Sequence, residues 1–491
     1  MGALAGSPAG MPPATPGVRR AGLASSRLLI WLTGGLAAVV LGAIVSVNPL
    51  LLLFAAAAAG VGAVFIAAFA EPRWVLLAQI FLVLSYAPPV LSANFGIPIT
   101  LQSLTFLLLF GTIVRFLLGA ERLRPPREAW ALAALLGAML ISLPFAADRA
   151  RAALEISDFV SVGLLALLIL ALVDDPVWYR RALWAFVAGV GFLAALATIQ
   201  QVTKTFSFTY FGFATIAEGD RDLARSAGPT DANFFAQLLV VTVALSVYLG
   251  FASRRLSVRL LAGAIALTSA AAVLYTYSRG ALLAAAVAFV AAALLRKVRI
   301  SVLVAIGAAL VLVAAFTLPP EAKDRFLQIV RPGSSGIAHS ADSSVANRFA
   351  ENLAAIHMLE DYPLLGVGPG NYSARYRAYS QEIGLDTRAE ERPGVEQAAH
   401  SLYLETLSEL GALGAGVLFA IIGLALRGAL RARSRLVGGD RLVAEGVFVA
   451  LIGYFTAAIF LHGAYPHFLW VVLALGLVGG RLARDSAERT A

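Results

Sequence analysis

Apolar runs of about 17 to 25 residues, the length that crosses a bilayer as a helix, follow one another along most of this chain. They fall near 27–47, 49–70, 74–89, 98–118, 128–146, 156–173, 180–202, 233–252, 258–276, 280–296, 299–317, 403–427, 443–462 and 465–482. Strands of a membrane barrel would instead alternate apolar and polar positions over about 10 residues. The pattern predicts an all-α polytopic membrane protein with about 12–14 transmembrane helices.

The polar stretches set the organisation. Residues 1–26, rich in Pro, Gly, Ala and Ser, read as a disordered cytoplasmic tail. Residues 27–317 form the N-terminal set of transmembrane helices, 318–402 one large extracytoplasmic loop, 403–483 the C-terminal helices and 484–491 a second cytoplasmic tail. Within the loop, Asn347 to Glu360 places Phe349, Leu353, Ile356 and Leu359 on one helical face. That suits an amphipathic helix lying on the membrane or over the bundle. Pro363 ends it, and Gly366, Gly368 and Gly370 suit a tight turn with unusual backbone angles.

Composition sharpens this reading in two places. The chain lacks cysteine, which removes disulfides, thiolate catalysis and thiolate metal sites. The net charge of +9 invites a nucleic-acid partner, yet topology explains it better. With the N-terminus inside, 24 of the 38 Lys and Arg residues fall in cytoplasmic segments. The short outer segments hold only Arg149, Arg151, Lys204, Arg221, Arg225 and Arg279. This is the positive-inside asymmetry, and it puts both termini in the cytoplasm.

The same topology gathers candidate chemistry on the outer side. Arg221, Arg225, Arg279 and His400 come from three parts of the chain, and all sit near helix ends. Arg279 lies in a short turn between two apolar helices. It either snorkels to headgroups or presents its planar fork of donors to phosphate oxygens. Arg221 and Arg225 share a face if their segment is helical; Asp220 and Asp222 are positioned to neutralise Arg221. Asp231 or Asn233 caps the helix that follows. His400 is a candidate base, since a histidine side chain suits proton abstraction near neutral pH. Glu405 is five residues on, which is not a face-sharing spacing. No histidine has metal-ligand spacing, and there is no phosphate-binding loop for a nucleotide. The Gly366, Gly368, Gly370 run lacks the strand and helix of a dinucleotide fingerprint.

Several stretches resemble one family. Arg348-Phe349, then Asp361 through Tyr372 (DYPLLGVGPGNY), then Ala399-His400-Ser401-Leu402-Tyr403-Leu404-Glu405 and Glu409-Leu410-Gly411 look like the signature region of the O-antigen ligase and polymerase superfamily. Tyr277-Ser278-Arg279-Gly280-Ala281 resembles its Ser-Arg-Gly motif, and Arg225 followed by Gly228 its Arg-x-x-Gly motif. The resemblance implies a GT-C-like glycosyltransferase of the bacterial inner membrane, working on the periplasmic side without metal or other cofactor. Its donor would be a glycan on undecaprenyl diphosphate and its acceptor a lipid or glycan hydroxyl. Lipid A–core marks a ligase and another lipid-linked repeat a polymerase; protein O-glycosylation is a third outcome. On this resemblance Arg225 and Arg279, with Arg221 beside them, hold the donor diphosphate and His400 is the base. Arg348, the three glycines and Glu405 support the loop. The rival from another class, a polyprenyl-linked glycan flippase or transporter, requires broken helices and ionisable groups near the bilayer midplane.

Overall fold

In a bilayer a spanning segment must satisfy its own backbone, so apolar runs become helices and their ends need partners. The computed structural model describes residues 70–96, 100–118, 126–217, 224–299, 301, 343–383, 397–463 and 466–490. All belong to one contact unit, Ala68–Ala491. The helices are α1 Pro72–Leu84, α2 Ala87–Phe95, α3 Leu101–Leu117, α4 Ala129–Ser142, α5 Arg149–Leu172, α6 Pro176–Thr203, α7 Ala232–Ala252, α8 Leu256–Tyr275 and α9 Arg279–Leu295. They continue as α10 Ser343–Asp361, α11 Tyr372–Ile383, α12 Leu402–Arg435, α13 Gly438–Ala457 and α14 His467–Thr490. Among the described residues, six helices are long and apolar enough to cross a membrane, or up to seven if α1 and α2 count as one bent span. The protein is an all-α multi-pass membrane protein. The predicted spans 27–47, 49–70 and 299–317 lie, apart from end residues, outside the described residues, as does Arg221.

Side-chain caps fix where helices begin. Thr100, Asp148, Asp231 and Ser401 accept from backbone N–H groups at the starts of α3, α5, α7 and α12. Each satisfies donors that the first turn leaves unpaired. Asp231, not Asn233, is thus the cap of α7. Asp148 also starts α5 at Arg149, seven residues before the apolar run predicted from 156. The 74–89 run is broken: α1 and α2 meet at 70°, with Tyr86 left-handed (φ 53°) and Pro88-Pro89 following. Proline cannot continue the hydrogen-bond ladder of the preceding helix.

The segment between α6 and α7 departs from the helical reading. Arg225–Gly228 is a short strand, β2, paired antiparallel with β1, Thr215–Ala217. Arg225 is therefore not on a helix face. Gly228 is left-handed (φ 60°) and Pro229 follows, so the chain turns there into the Asp231 cap.

The most consequential break is in α12. Gly411 takes φ 60°, ψ −166°, a conformation essentially confined to glycine. It splits off a polar half-helix, 402–410, from the long apolar remainder. The backbone groups freed by this break are taken by residues 363–368. Val367 and Gly368 donate to the carbonyls of Ser408 and Glu409, both at 2.9 Å. Ala412 and Leu413 donate to the carbonyls of Pro363 and Leu364 at 2.8 and 3.2 Å. The two backbones touch: a Cβ on Gly366 would stand 2.3 Å from the carbonyl carbon of Glu409, and one on Gly411 2.3 Å from that of Leu364. The Glu409 carboxylate then accepts from the N–H groups of Gly370 and Tyr372 (2.9 and 3.1 Å), holding the entry to α11. Gly366, Gly368 and Gly370 all have positive φ, as their turn role requires.

Helix α10 covers this region, with a burial different from the predicted one. Its buried side is Ala350, Glu351, Ala354, Ala355 and Met358, while Phe349 and Ile356 are exposed. The alanines and Met358 pack against the tyrosines of α11 (Tyr372, Tyr376, Tyr379), while Leu353 and Leu359 are half-buried. At the opposite end of the bundle, buried Glu445 of α13 meets Arg296, Arg433 (3.3 Å) and the Tyr248 hydroxyl (3.1 Å).

Candidate functional site

Two left-handed residues, each just before a helix start, aim the candidate groups. Tyr277 (φ 48°) precedes Ser278 and α9; His400 (φ 47°) precedes Ser401 and α12. A non-glycine residue there is held against local strain by its surroundings, a pattern concentrated at functional sites.

The first half of the site is cationic. Arg225 Nε donates to the Thr276 carbonyl at 3.0 Å, and its Nη2 reaches Asn233 Oδ1 at 3.4 Å. Ser278 Oγ donates to the same Asn233 oxygen at 2.9 Å. Asn233 thus ties the start of α7 to β2 and to the start of α9. With its hydroxyl used in this way, Ser278 gives α9 no side-chain cap. The uncapped N-terminus of a 17-residue helix, with Arg279 as its first residue, is an electropositive feature.

The second half centres on His400. Its Nε2 lies 3.6 Å from Oε2 of Glu351, a carboxylate whose side chain is 1% exposed. Tyr372 donates its hydroxyl proton to the Glu351 carbonyl at 2.7 Å, fixing that turn of α10. His400 also stands against His462, rings edge-to-face with centroids 5.1 Å apart. His462 is pushed down to about 4 by burial; the positive charge of Arg348 acts in the same direction and Asp231 against it. At neutral pH it is an uncharged imidazole.

One turn, residues 458–463, joins the halves. Gly280 packs on Phe460 so closely that a Cβ would lie 3.2 Å from its ring. Leu402 donates to the Ala458 carbonyl (3.0 Å), and the Gly463 N–H bonds the Glu405 carboxylate. Glu405 is buried and anchors this turn; the carboxylate beside the His400 ring is Glu351. Phe234 packs edge-on against His462 at 5.1 Å and lies 6.1 Å from Phe468. Phe468 lines a cavity of 380 Å³ with Tyr86, Ser92, Gln102 and His467, among others.

Of the residues singled out in the sequence, Arg225 bonds the Thr276 carbonyl just before α9, which Arg279 begins, while His400 stands against His462, on which the charge of Arg348 acts. Gly366, Gly368 and Gly370 build the support behind them, and Glu405 holds the connecting turn. Sequence reasoning did not single out Glu351 or His462, and took Asn233 only as a candidate helix cap. Glu351 does carry a signal, being an acid on the small-residue side of α10. Asn233 is two residues past a cap and His462 follows an apolar run, so neither stands out.

Residues 264–419 match the family model described as O-Antigen ligase. No curated protein matches the chain. The matched stretch runs from α8 into α12 and contains Arg279, Arg348, Glu351, the glycine loop, His400, Glu405 and Gly411; Arg225 and His462 lie outside it. Through residues 264–419, this multi-pass membrane protein carries a domain of the O-antigen ligase superfamily.

Proposed function

We propose that the protein is a metal-independent, inverting glycosyltransferase that moves a glycan from undecaprenyl diphosphate to an acceptor hydroxyl, lipid A–core in type, at the periplasmic face of the inner membrane. The observation that supports it most is the juxtaposition of the Arg225, Asn233, Ser278, Arg279 cluster with the His400–Glu351 pair through the 458–463 turn. In this mechanism His400 Nε2, which lies 3.6 Å from the Glu351 carboxylate, carries the ring proton, which leaves the Nδ1 lone pair for the acceptor. In the reaction His400 Nδ1 takes the proton of the acceptor hydroxyl. The hydroxyl oxygen forms a bond to the anomeric carbon as the bond from that carbon to the diphosphate oxygen breaks on the opposite face. Glu351 stabilises the imidazolium that results. Arg225, Arg279 and the start of α9 stabilise the negative charge gathering on the departing diphosphate.

The positions of Lys and Arg support cytoplasmic termini and a periplasmic site. A transporter would also show broken helices, and α12 is broken. The backbone of residues 363–368 fills that break with hydrogen bonds, which favours a fixed scaffold over a moving gate. The acceptor is tested by deleting the gene and examining the carrier lipid. Long polymer left on undecaprenyl diphosphate is expected; single repeats on the carrier would identify a polymerase instead.

A further inference from the structure

We propose that His462 is a positioning residue of this site, holding the acceptor sugar through a ring-nitrogen hydrogen bond so that its hydroxyl faces His400. The inference rests on the glycosyl-transfer reading above. His462 lies outside the stretch that matches the family and outside every motif of the resemblance.

Four observations converge on it. Its ring stands edge-on to His400 at 5.1 Å, inside the reach of one bound hydroxyl. Its Nδ1 is buried and makes no hydrogen bond to any described group. A buried polar atom of this kind calls for a partner, and the hydroxyl of a bound sugar would supply one. The turn that carries it is built rigidly: Glu405 holds Gly463, Phe460 wedges against Gly280, and Phe234 packs on the ring. Finally, Phe234 packs on His462 at 5.1 Å and lies 6.1 Å from Phe468, and Phe468 lines the 380 Å³ cavity, whose wall does not include His462 itself. That volume falls within the range of about 300–1,000 Å³ typical of small-molecule sites.

The chemistry selects the acceptor over the diphosphate. Burial and Arg348 keep His462 uncharged. A neutral imidazole is a weak ligand for a dianion and a good partner for a sugar hydroxyl, because one ring nitrogen donates and the other accepts. A neutral neighbour also lets His400 take up a proton without facing a second positive ring.

The test uses the full-length purified protein, an undecaprenyl-diphosphate-linked repeat as donor and lipid A–core as acceptor. Initial rates are compared for the wild type, His462→Phe, His462→Asn, His462→Gln and His400→Ala. Phe keeps the ring packing without the nitrogens; Asn and Gln restore a polar atom near Nδ1 and Nε2 respectively. The acceptor KM of His462→Phe is expected to rise about tenfold with the donor KM unchanged, as for one lost hydrogen bond made to substrate. His462→Asn or His462→Gln should recover most of it. Full activity of His462→Phe, with His400→Ala inactive, overturns the role of His462 and leaves the transfer reading intact. A rise in donor KM instead of acceptor KM also overturns it. Transfer surviving in His400→Ala would overturn both.

Discussion

At the residue scale, the site is made of groups whose neighbours decide their state. His400 would be an ordinary surface histidine without Glu351 behind it, and Arg279 an ordinary interfacial arginine without the Asn233 and Ser278 contacts beside it. His462 shows the cost of such placement. Folded, it titrates near 4; an unfolded histidine titrates near about 6.5. Below that higher value the unfolded chain binds a proton that the folded chain refuses, so stability falls as pH drops. The loss is of order 3 kcal/mol between about pH 6.5 and 4. Thermal unfolding in detergent at pH 7 and pH 4.5 should show it, and His462→Phe should reduce the difference. An unchanged acid shift in that variant would mean that other groups carry it.

At the element scale, the glycine loop and the α12 break are one device. Neither makes sense alone: the break exposes Ser408 and Glu409 carbonyls, and the loop supplies the N–H groups that meet them. A methyl group at Gly411 would meet backbone, which cannot yield, and would occupy a conformation that alanine avoids. Gly411→Ala is expected to destabilise the protein by at least about 3 kcal/mol. Alanine at Gly423, where a Cβ meets nothing within 4 Å, is the control expected to change little. Equal melting temperatures for the two variants would contradict the interlocked geometry. Much of this was legible beforehand. Period and length placed the helices, and the glycine spacing announced a turn. What the sequence could not show was the partner of that turn, because residues 363–368 and 408–413 are brought together only by tertiary structure. The same reason hid Glu351: its distance from His400 in the chain, 49 residues, gives no hint of 3.6 Å in space. The strand at Arg225 was missed because four residues are too few to show a period.

Across the described residues, charged side chains gather towards two ends of the bundle. In the proposed function, Arg225 and Arg279 at the site end hold the donor diphosphate. At the far end, Arg296 and Arg433 close on buried Glu445, tying α9, α12 and α13 together, with Tyr248 adding α7. Removing Glu445 leaves two guanidinium groups without that carboxylate at a helix junction. Glu445→Ala is expected to cost about 1–3 kcal/mol of stability, less than for a fully buried pair because Arg296 (42% exposed) and Arg433 (23% exposed) keep access to solvent. It should lower the melting temperature while leaving the donor and acceptor KM of the surviving folded protein unchanged. A KM effect would show that the far end is coupled to the site.

The most direct measurement is the initial rate of glycan transfer by purified His400→Ala, with a defined undecaprenyl-diphosphate-linked donor. Removal of a general base typically lowers kcat by about 10²–10⁴-fold. A fall of that size is expected, with donor KM little changed and the melting temperature near that of the wild type. Wild-type rates in His400→Ala would contradict the assignment of His400 as the base and, with it, the reading of the outer face as a glycosyl-transfer site.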